Sequence, residues 1–374
     1  MFKEIKNIDN DINSFLSSLK KPNNEFSFYP VKNGLVTSGE KMNLGFSNYG
    51  LKILYILKIW DKVDLQIKNN WVNYLNSFQI NLQGFPLNSY IDLNFLSEIY
   101  KNNIIDKSKY LTKDILNFFG SKQYKPKNVF IKESITAETK QTISTLNLIG
   151  SHANKKIHGF PSTNNEIYEY LVQLDWSKPW NAGAQFSNLA LLICTQIESN
   201  NERNELINTL DGFLNECLLD IDTGAYFTNK NINNRELING AMKILTAFEW
   251  TNSKIHFPEK LIDTCLKINP LSEGCDILDF VYVLYKCYKE SEYKRDEIIK
   301  AFEEIYFFVQ EHYFPEIGGF SYFKNKSQTY YYGVKISKGL NEPDLHGTLL
   351  FLWCYTMIYD LIEKDQEKFN ILKP

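Results

Sequence analysis

Six stretches of this chain are apolar on every face of a helix, and that constrains the fold more than any other feature: residues 44–60, 138–149, 182–198, 236–250, 275–288 and 344–360. Each opens with small or polar residues and then runs apolar. A helix without a charged stripe has no face to offer water and must be surrounded by other elements. Between these stretches lie segments that do carry a charged face, at 62–80, 111–119, 165–174, 202–219, 258–268 and 294–313. They read as outer helices covering inner ones. An inner, outer, inner, outer alternation is the signature of a helical-hairpin array. The widest gap, between Trp60 and Glu138, leaves room for an extra hairpin or an irregular insertion.

A second repetition supports the first. Residues 214–227 (LNECLLDIDTGAYF) and 309–323 (VQEHYFPEIGGFSYF) each put an acidic residue and a glycine before an aromatic pair, just after an outer segment. Glycine there supplies the left-handed backbone that stops a helix. Pro161, Pro179, Pro258, Pro315 and Pro343 fall between segments, where helices must end. No low-complexity linker divides the chain. The expectation is one all-α unit over residues 1–374, with residues 1–40 forming an N-terminal arm and the first outer helix. In its alternation and its Gly-aromatic turns the chain resembles the (α/α)6 toroids over roughly residues 40 to 365. Terpenoid cyclases, protein prenyltransferase β subunits and many carbohydrate-active lyases, hydrolases and epimerases share that fold. The resemblance implies a ring of about six hairpins, its inner helices lining an aromatic cavity, with the site at the mouth where those helices begin. Helix dipoles favour anionic groups there.

Composition narrows the function classes. A net charge of −3, with lysines scattered among acidic residues, gives no footprint for nucleic acid. Aromatic residues reach 15%, with 26 Phe and 23 Tyr, enough both to fill a core and to line a pocket. The first residues mix charges without an apolar leader, and residues 345–358, the longest apolar run, are too short to span a bilayer and contain His346. The six cysteines form no CxxC pair and read as free thiols in a reducing, cytoplasmic setting. Phosphate-loop, dinucleotide and serine-hydrolase motifs are missing. So are the DDxxD, NDxxSxxxE and complete DxDD motifs of terpene synthases; the nearest match, Asp220-Ile-Asp222, belongs to a helix-ending turn.

Four stretches carry candidate chemistry, and each has a plain alternative. Asp344-Leu-His346 opens the last inner helix behind a loop bearing Tyr330, Tyr331 and Tyr332; it offers a base with an orienting partner or two metal ligands, or else an N-cap and a satisfied first-turn histidine. Asp276 and Asp279, three apart, share one helix face and divide acid and base roles if burial separates their pKa values, or else they cap. Trp176 and Trp180 flank Pro179 and suit a sugar-binding rim, with Asn181 and Gln185 bonding hydroxyls, or else anchor the core. Asn239 and Lys243 lie one turn apart; a lysine inside a ring must be paired or face the cavity, unless it snorkels to the rim. Glu138, Lys140 and Gln141 read as a solvated first turn. Cys275, Asp276 and His346 echo, at different spacing, the Asp-Cys-His zinc set of the prenyltransferase β subunits, which makes zinc the alternative to a cofactor-free reading.

The expectation is therefore a cytoplasmic carbohydrate-active lyase, epimerase or hydrolase acting on a sugar, uronate or glycan at one mouth of the ring. Asp344, His346, Asp276, Asp279 and Tyr332 would move protons, while Trp176, Trp180, Gln185, Asn239, Lys243 and Tyr331 would bind substrate. An isoprenoid enzyme with an apolar cavity and a non-catalytic scaffold are the alternatives.

Overall fold

The computed structural model describes residues 5, 7–101, 126–229, 231–270, 273–363 and 368–374. Among these are fourteen helices: α1 (Ile8–Ser18), α2 (Thr37–Glu40), α3 (Leu44–Ile56), α4 (Leu65–Asn76), α5 (Leu93–Lys101), α6 (Lys127–Leu148) and α7 (Asn164–Val172), followed by α8 (Pro179–Gln196), α9 (Asn200–Phe213), α10 (Asn234–Thr251), α11 (Pro258–Cys265), α12 (Gly274–Ser291), α13 (Arg295–Glu311) and α14 (Leu345–Glu363). Three antiparallel pairs of short strands decorate them: β1 (Lys20–Lys21) with β2 (Asn24–Phe28), β3 (Tyr313–Phe314) with β4 (Gly319–Phe320), and β5 (Tyr330–Tyr331) with β6 (Val334–Lys335). The all-α character read from the sequence holds.

The six apolar stretches are α3, α6, α8, α10, α12 and α14. Each packs on the next, and α14 packs back on α3, so the six form a closed cycle of neighbours. They also run in the same direction. Pro179 meets Gly240, Gly183 meets Lys243, and Ser187 bonds Thr246, so positions on α8 and α10 advance together. Asn239 with Asp276 and Glu249 with Lys286 do the same for α10 and α12. Glycine makes the α8–α10 approach close: a Cβ on Gly240 would lie 2.7 Å from Pro179, and one on Gly183 3.0 Å from the Lys243 Cβ.

Local sequence sets where the helices start. Pro179 and Pro258 occupy first turns, where no amide hydrogen is required. Asn233 and Ser199 cap α10 and α9, and Thr163 with Glu166 forms a capping box on α7. The inner helix α6 departs from the sequence reading. It begins at Lys127, well before Glu138, because residues 127–140 alternate charge with apolar character and lack an all-round apolar face. Glu138, Lys140 and Gln141 are therefore mid-helix and not a solvated first turn. The outer segment anticipated at 111–119 lies outside the described residues; the other outer segments are α4, α7, α9, α11 and α13.

The two Gly-aromatic turns are structural equivalents. Gly224 (φ 75°) presses on the start of α11, its missing Cβ 2.8 Å from Phe257 O, while Gly318 (φ 90°) presses on α1, 2.2 Å from Asp11 O. Each turn follows an outer helix and wedges against another, so α1 follows α13 in the outer layer.

Residues 368–374 cross the C-terminal end of the cycle. The Asn370 amide donates to Ile56 O on α3, and Trp250 Nε1 on α10 donates to Pro374 O. Phe369 packs on Tyr355 and Tyr359 of α14. Buried apolar contacts are continuous from Ile8 to Leu372. One helix, α14, is long and apolar enough to cross a membrane, but 89% of its apolar window is buried within the protein.

Candidate functional site

The tyrosine-rich loop is a β-hairpin. Its turn, Tyr332-Gly333, has φ of 40° and 78°, the two left-handed residues of a type I′ turn. Tyrosine is strained there, where asparagine or glycine would be comfortable. The hairpin drives Tyr331 between Phe46, Tyr49 and Phe95, into a space that exists because residue 45 is glycine: a Cβ there would lie 2.1 Å from the Tyr331 hydroxyl. That hydroxyl donates to Glu138 Oε1 at 2.9 Å, leaving Glu138 Oε2 buried without a partner. Burial above all, and then the charge of Asp92, push Glu138 up to about 8. It is a carboxylic acid at neutral pH.

Asp344 and His346 separate into two roles. Asp344 accepts the Gly347 amide at 2.8 Å, as an N-cap does, and its second oxygen accepts the amides of Tyr322 at 2.7 Å and Gln328 at 3.0 Å. It is the clamp that fixes residues 322–328 over the start of α14, with both oxygens engaged by backbone amides. Burial pushes it up to about 6 against those three bonds. His346 is sandwiched between Tyr49 (4.7 Å, interplanar 5°) and Tyr322 (5.4 Å). Its Nδ1 lies 3.1 Å from Gln328 Oε1. Because that oxygen only accepts, the proton sits on Nδ1 and Nε2 carries the lone pair. Burial first, then the Lys243 cation, lower its pKa to about 3, so the ring is neutral.

The pair Asp276 and Asp279 also divides. Asp276 Oδ1 accepts from Arg235 Nε at 2.9 Å and Asn239 Nδ2 at 2.7 Å; the same guanidinium bonds Glu273 at 3.0 Å and lies over the Trp180 ring at 5.1 Å. These groups meet at the starts of α10 and α12, with Asp276 Oδ2 enclosed and unbonded among the described residues. One turn deeper, Asp279 is 2% exposed and makes no hydrogen bond among the described residues, its Oδ2 wholly enclosed. Burial raises it to about 7, opposed chiefly by Lys243. Beside it, burial pushes the Cys275 thiol up to about 11.

Three lysines complete the interior. Among the described residues, Lys243 on α10 has only Met242 Sδ at 3.5 Å as a bonding neighbour. Lys140 on α6 donates to Ser187 Oγ on α8 at 2.5 Å, and Lys52 on α3 donates to Ser144 Oγ at 3.0 Å. Lys140 senses the charges of both Lys243 and Lys52, and His346 senses Lys243. Since α6 does not adjoin α10 in the cycle, nor α14 adjoin α10, these groups act on each other across the cycle and not along one helix pair. Burial drives Lys52 down to about 7 and Lys140 well below the ordinary lysine value.

His346, Asp279, Tyr331, Tyr332 and Lys243 are thus brought to the interior, as is Glu138 through its bond to Tyr331. Trp180 and Asn239 stay at the rim, Asn239 bound to Asp276. Gln185 is buried on α8, and Asn181 is exposed. Trp176 does not reach the interior: it packs on Phe186 and Phe213 under the outer layer, its indole N–H bonded to Leu171 O at 2.9 Å. Lys52 was invisible to sequence reasoning, a single lysine in an apolar run; its i+4 spacing from Asn48 is the one signal that marks a polar line on α3. Of the residues of the zinc alternative, Asp276 is engaged by Arg235 and Asn239, and among the described residues no group of three His, Cys, Asp or Glu side chains converges. No protein-family model, no curated protein and no solved structure matches the chain.

Proposed function

We propose that the six-helix cycle is the inner wall of an (α/α)6 toroid and that its interior is the active site of an enzyme performing acid/base chemistry on a sugar or sugar acid. One observation carries this reading. Asp279, a buried carboxyl without a hydrogen bond among the described residues, shares the interior with the neutral, Nε2-basic His346 and with Lys243. Burial raises the carboxyl and lowers the imidazole, so near neutral pH the first holds a proton to give and the second is an unprotonated acceptor, the two roles general acid/base catalysis needs. Tyr322 and Tyr332 supply ring faces and hydroxyls above them, suited to the alternating apolar and polar faces of a pyranose.

Asp279 and His346 move the proton, and Tyr332 on its strained turn orients the substrate. Asp344, Asp276 and Arg235 hold the framework and exchange no proton with it. An isoprenoid enzyme calls for an apolar wall; three lysines, two carboxyls and a histidine argue for a polar substrate instead. A scaffold would have its acids and histidine committed to caps, which describes Asp344 but not Asp279.

The test incubates the protein with a panel of uronate oligosaccharides, aryl glycosides and sugar epimer pairs. The readouts are the ultraviolet absorbance of unsaturated uronates, released reducing ends, and proton exchange by NMR. Turnover by the wild type, lost by a hundredfold or more in Asp279→Asn and His346→Gln with the fold intact, is the expected result. Turnover that persists unchanged in both variants overturns the assignment, as does failure of the whole panel to react or bind.

A further inference from the structure

Lys52, Lys140 and Lys243 stand out because of what they lack. None of the three makes an ion pair among the described residues; their partners are a serine hydroxyl, a serine hydroxyl and a thioether. Elsewhere Lys286 pairs with Glu249 and the exposed Lys289 with Asp360, while the half-buried Lys21 bonds only carbonyl and amide oxygens. Buried cations without anions are expensive, and a fold tolerates them where something else supplies the negative charge.

Their surroundings are a set of donors. Lys140 shares Ser187 with Thr246, whose hydroxyls lie 2.8 Å apart, and Lys52 bonds Ser144, one turn along α6 from Lys140. On α14, Trp353 follows His346 by seven residues, two helical turns, hence on the same face and about 10 Å deeper; its buried indole N–H has no acceptor among the described residues. Amines and neutral donors from α3, α6, α8, α10 and α14 therefore gather at and below the level of Asp279 and His346. Among the described residues no carboxylate bonds any of the three lysines: Asp279 acts on Lys243 only through space, and Glu138 is bound to Tyr331.

We infer that this lysine cluster is an oxyanion site for a phosphoryl or diphosphoryl group, so that the substrate enters the ring charged end first and is a phosphorylated sugar. Phosphoryl fits better than carboxyl because the cations come from three separate helices, and a polyvalent group with three or more oxygens engages several point charges at once where a carboxylate has two oxygens and one charge. The deep anion would hold the sugar ring against Tyr322 and Tyr332 and below the rim. The link between anion and substrate rests on the enzymatic reading; the anion site itself does not.

Binding is measured by calorimetry and by thermal unfolding with inorganic phosphate, pyrophosphate, acetate and chloride at matched ionic strength. Phosphate or pyrophosphate should raise the melting temperature in a dose-dependent way where acetate and chloride do not, and Lys140→Met and Lys243→Met should each weaken that binding at least tenfold. As a check that needs no variant, pyrophosphate should protect Lys140 and Lys243 of the wild type from reductive methylation, read by mass spectrometry. The inference is overturned if phosphate and pyrophosphate act no more strongly than chloride, if acetate binds equally well, if the methionine variants bind as the wild type does, or if methylation is unaffected. Asp279→Asn separates the two readings: it should lose turnover and keep phosphate binding, so a protein that binds phosphate but turns nothing over sinks the enzyme and leaves the site.

Discussion

Replacing Lys52 by methionine removes an ammonium that the fold holds at a loss. The side chain is 2% exposed, donates one hydrogen bond, and has its pKa lowered from 10.5 to about 7 by burial alone. At about 1.4 kcal/mol per pH unit, that depression costs the folded state about 4 kcal/mol at pH 7 and about 2 kcal/mol at pH 9. The sign follows from proton counting: between about 7 and 10.5 the unfolded chain binds more protons than the folded one, so this lysine makes stability rise with pH across that window. Methionine fills nearly the same volume and forfeits the bond to Ser144, about 1 kcal/mol. Ser144 is not orphaned, because its hydroxyl also bonds Gln141 O at 3.0 Å. Lys52→Met should therefore be more stable than the wild type by about 3 kcal/mol at pH 7 and about 1 kcal/mol at pH 9. Urea unfolding in phosphate-free buffer at both pH values measures it. A variant that is less stable at pH 7, or whose advantage is the same at pH 7 and pH 9, refutes the claim that an unmatched buried cation sits on α3.

Asp344→Ala should cost about 3 kcal/mol or more, since three backbone amides lose their acceptor; a variant unfolding in urea within about 1 kcal/mol of the wild type would contradict the clamp. Gly318 and Gly84 have nearly the same φ, 90° and 93°, but a Cβ on Gly318 would meet Asp11 O at 2.2 Å while one on Gly84 meets nothing. Gly84→Ala should cost about 1 kcal/mol and Gly318→Ala at least about 2 kcal/mol more, and equal melting temperatures would dismiss the wedge between the last turn and α1. Glu138 should show a carboxylic-acid carbonyl band in infrared spectra at pH 6 that disappears as pH rises through about 8 and is absent from Glu138→Gln. Here the folded chain holds a proton that the unfolded chain releases above about 4.5, so this group makes stability fall as pH rises from there to about 8. A wild type and variant with identical spectra at pH 6 would remove the protonated acid.

The inner helices were legible because an all-round apolar helix has few places to go, and five of the six begin within a few residues of where the pattern puts them. The exception, α6, shows the limit of that signal. Its first turns carry Lys127, Lys132, Glu133 and Lys140 among apolar residues, so no face of residues 127–140 is uniformly apolar, although Ile131, Ile135 and Glu138 are buried. Long-range packing then extends a helix whose local pattern is ambiguous. The hairpin at Tyr330–Lys335 was legible as a tyrosine-rich loop but not as strands, because two-residue strands are too short for a period to register.

For the site, the sequence pointed to polar residues at helix starts, and that criterion mixes two physically different populations. Asp344 and Asp276 stand there because first turns need acceptors and dipoles favour acids; backbone amides engage both oxygens of Asp344, and Arg235 and Asn239 engage Oδ1 of Asp276. Asp279, Lys140, Lys243 and Lys52 stand one or more turns in, where neither capping nor solvation accounts for a charge. A polar residue that local structure can satisfy carries little information about function, however conspicuous its motif. One that no local rule satisfies must be answered by another part of the fold or by a ligand. Sequence spacing reveals the first kind and hides the second, because whether Lys243 meets a carboxylate, water or an empty interior depends on five other helices. Each conspicuous motif on this chain is therefore split, Asp344 serving as a fastener beside His346 and Asp276 beside Asp279, while Lys52 read only as a blemish in an apolar run.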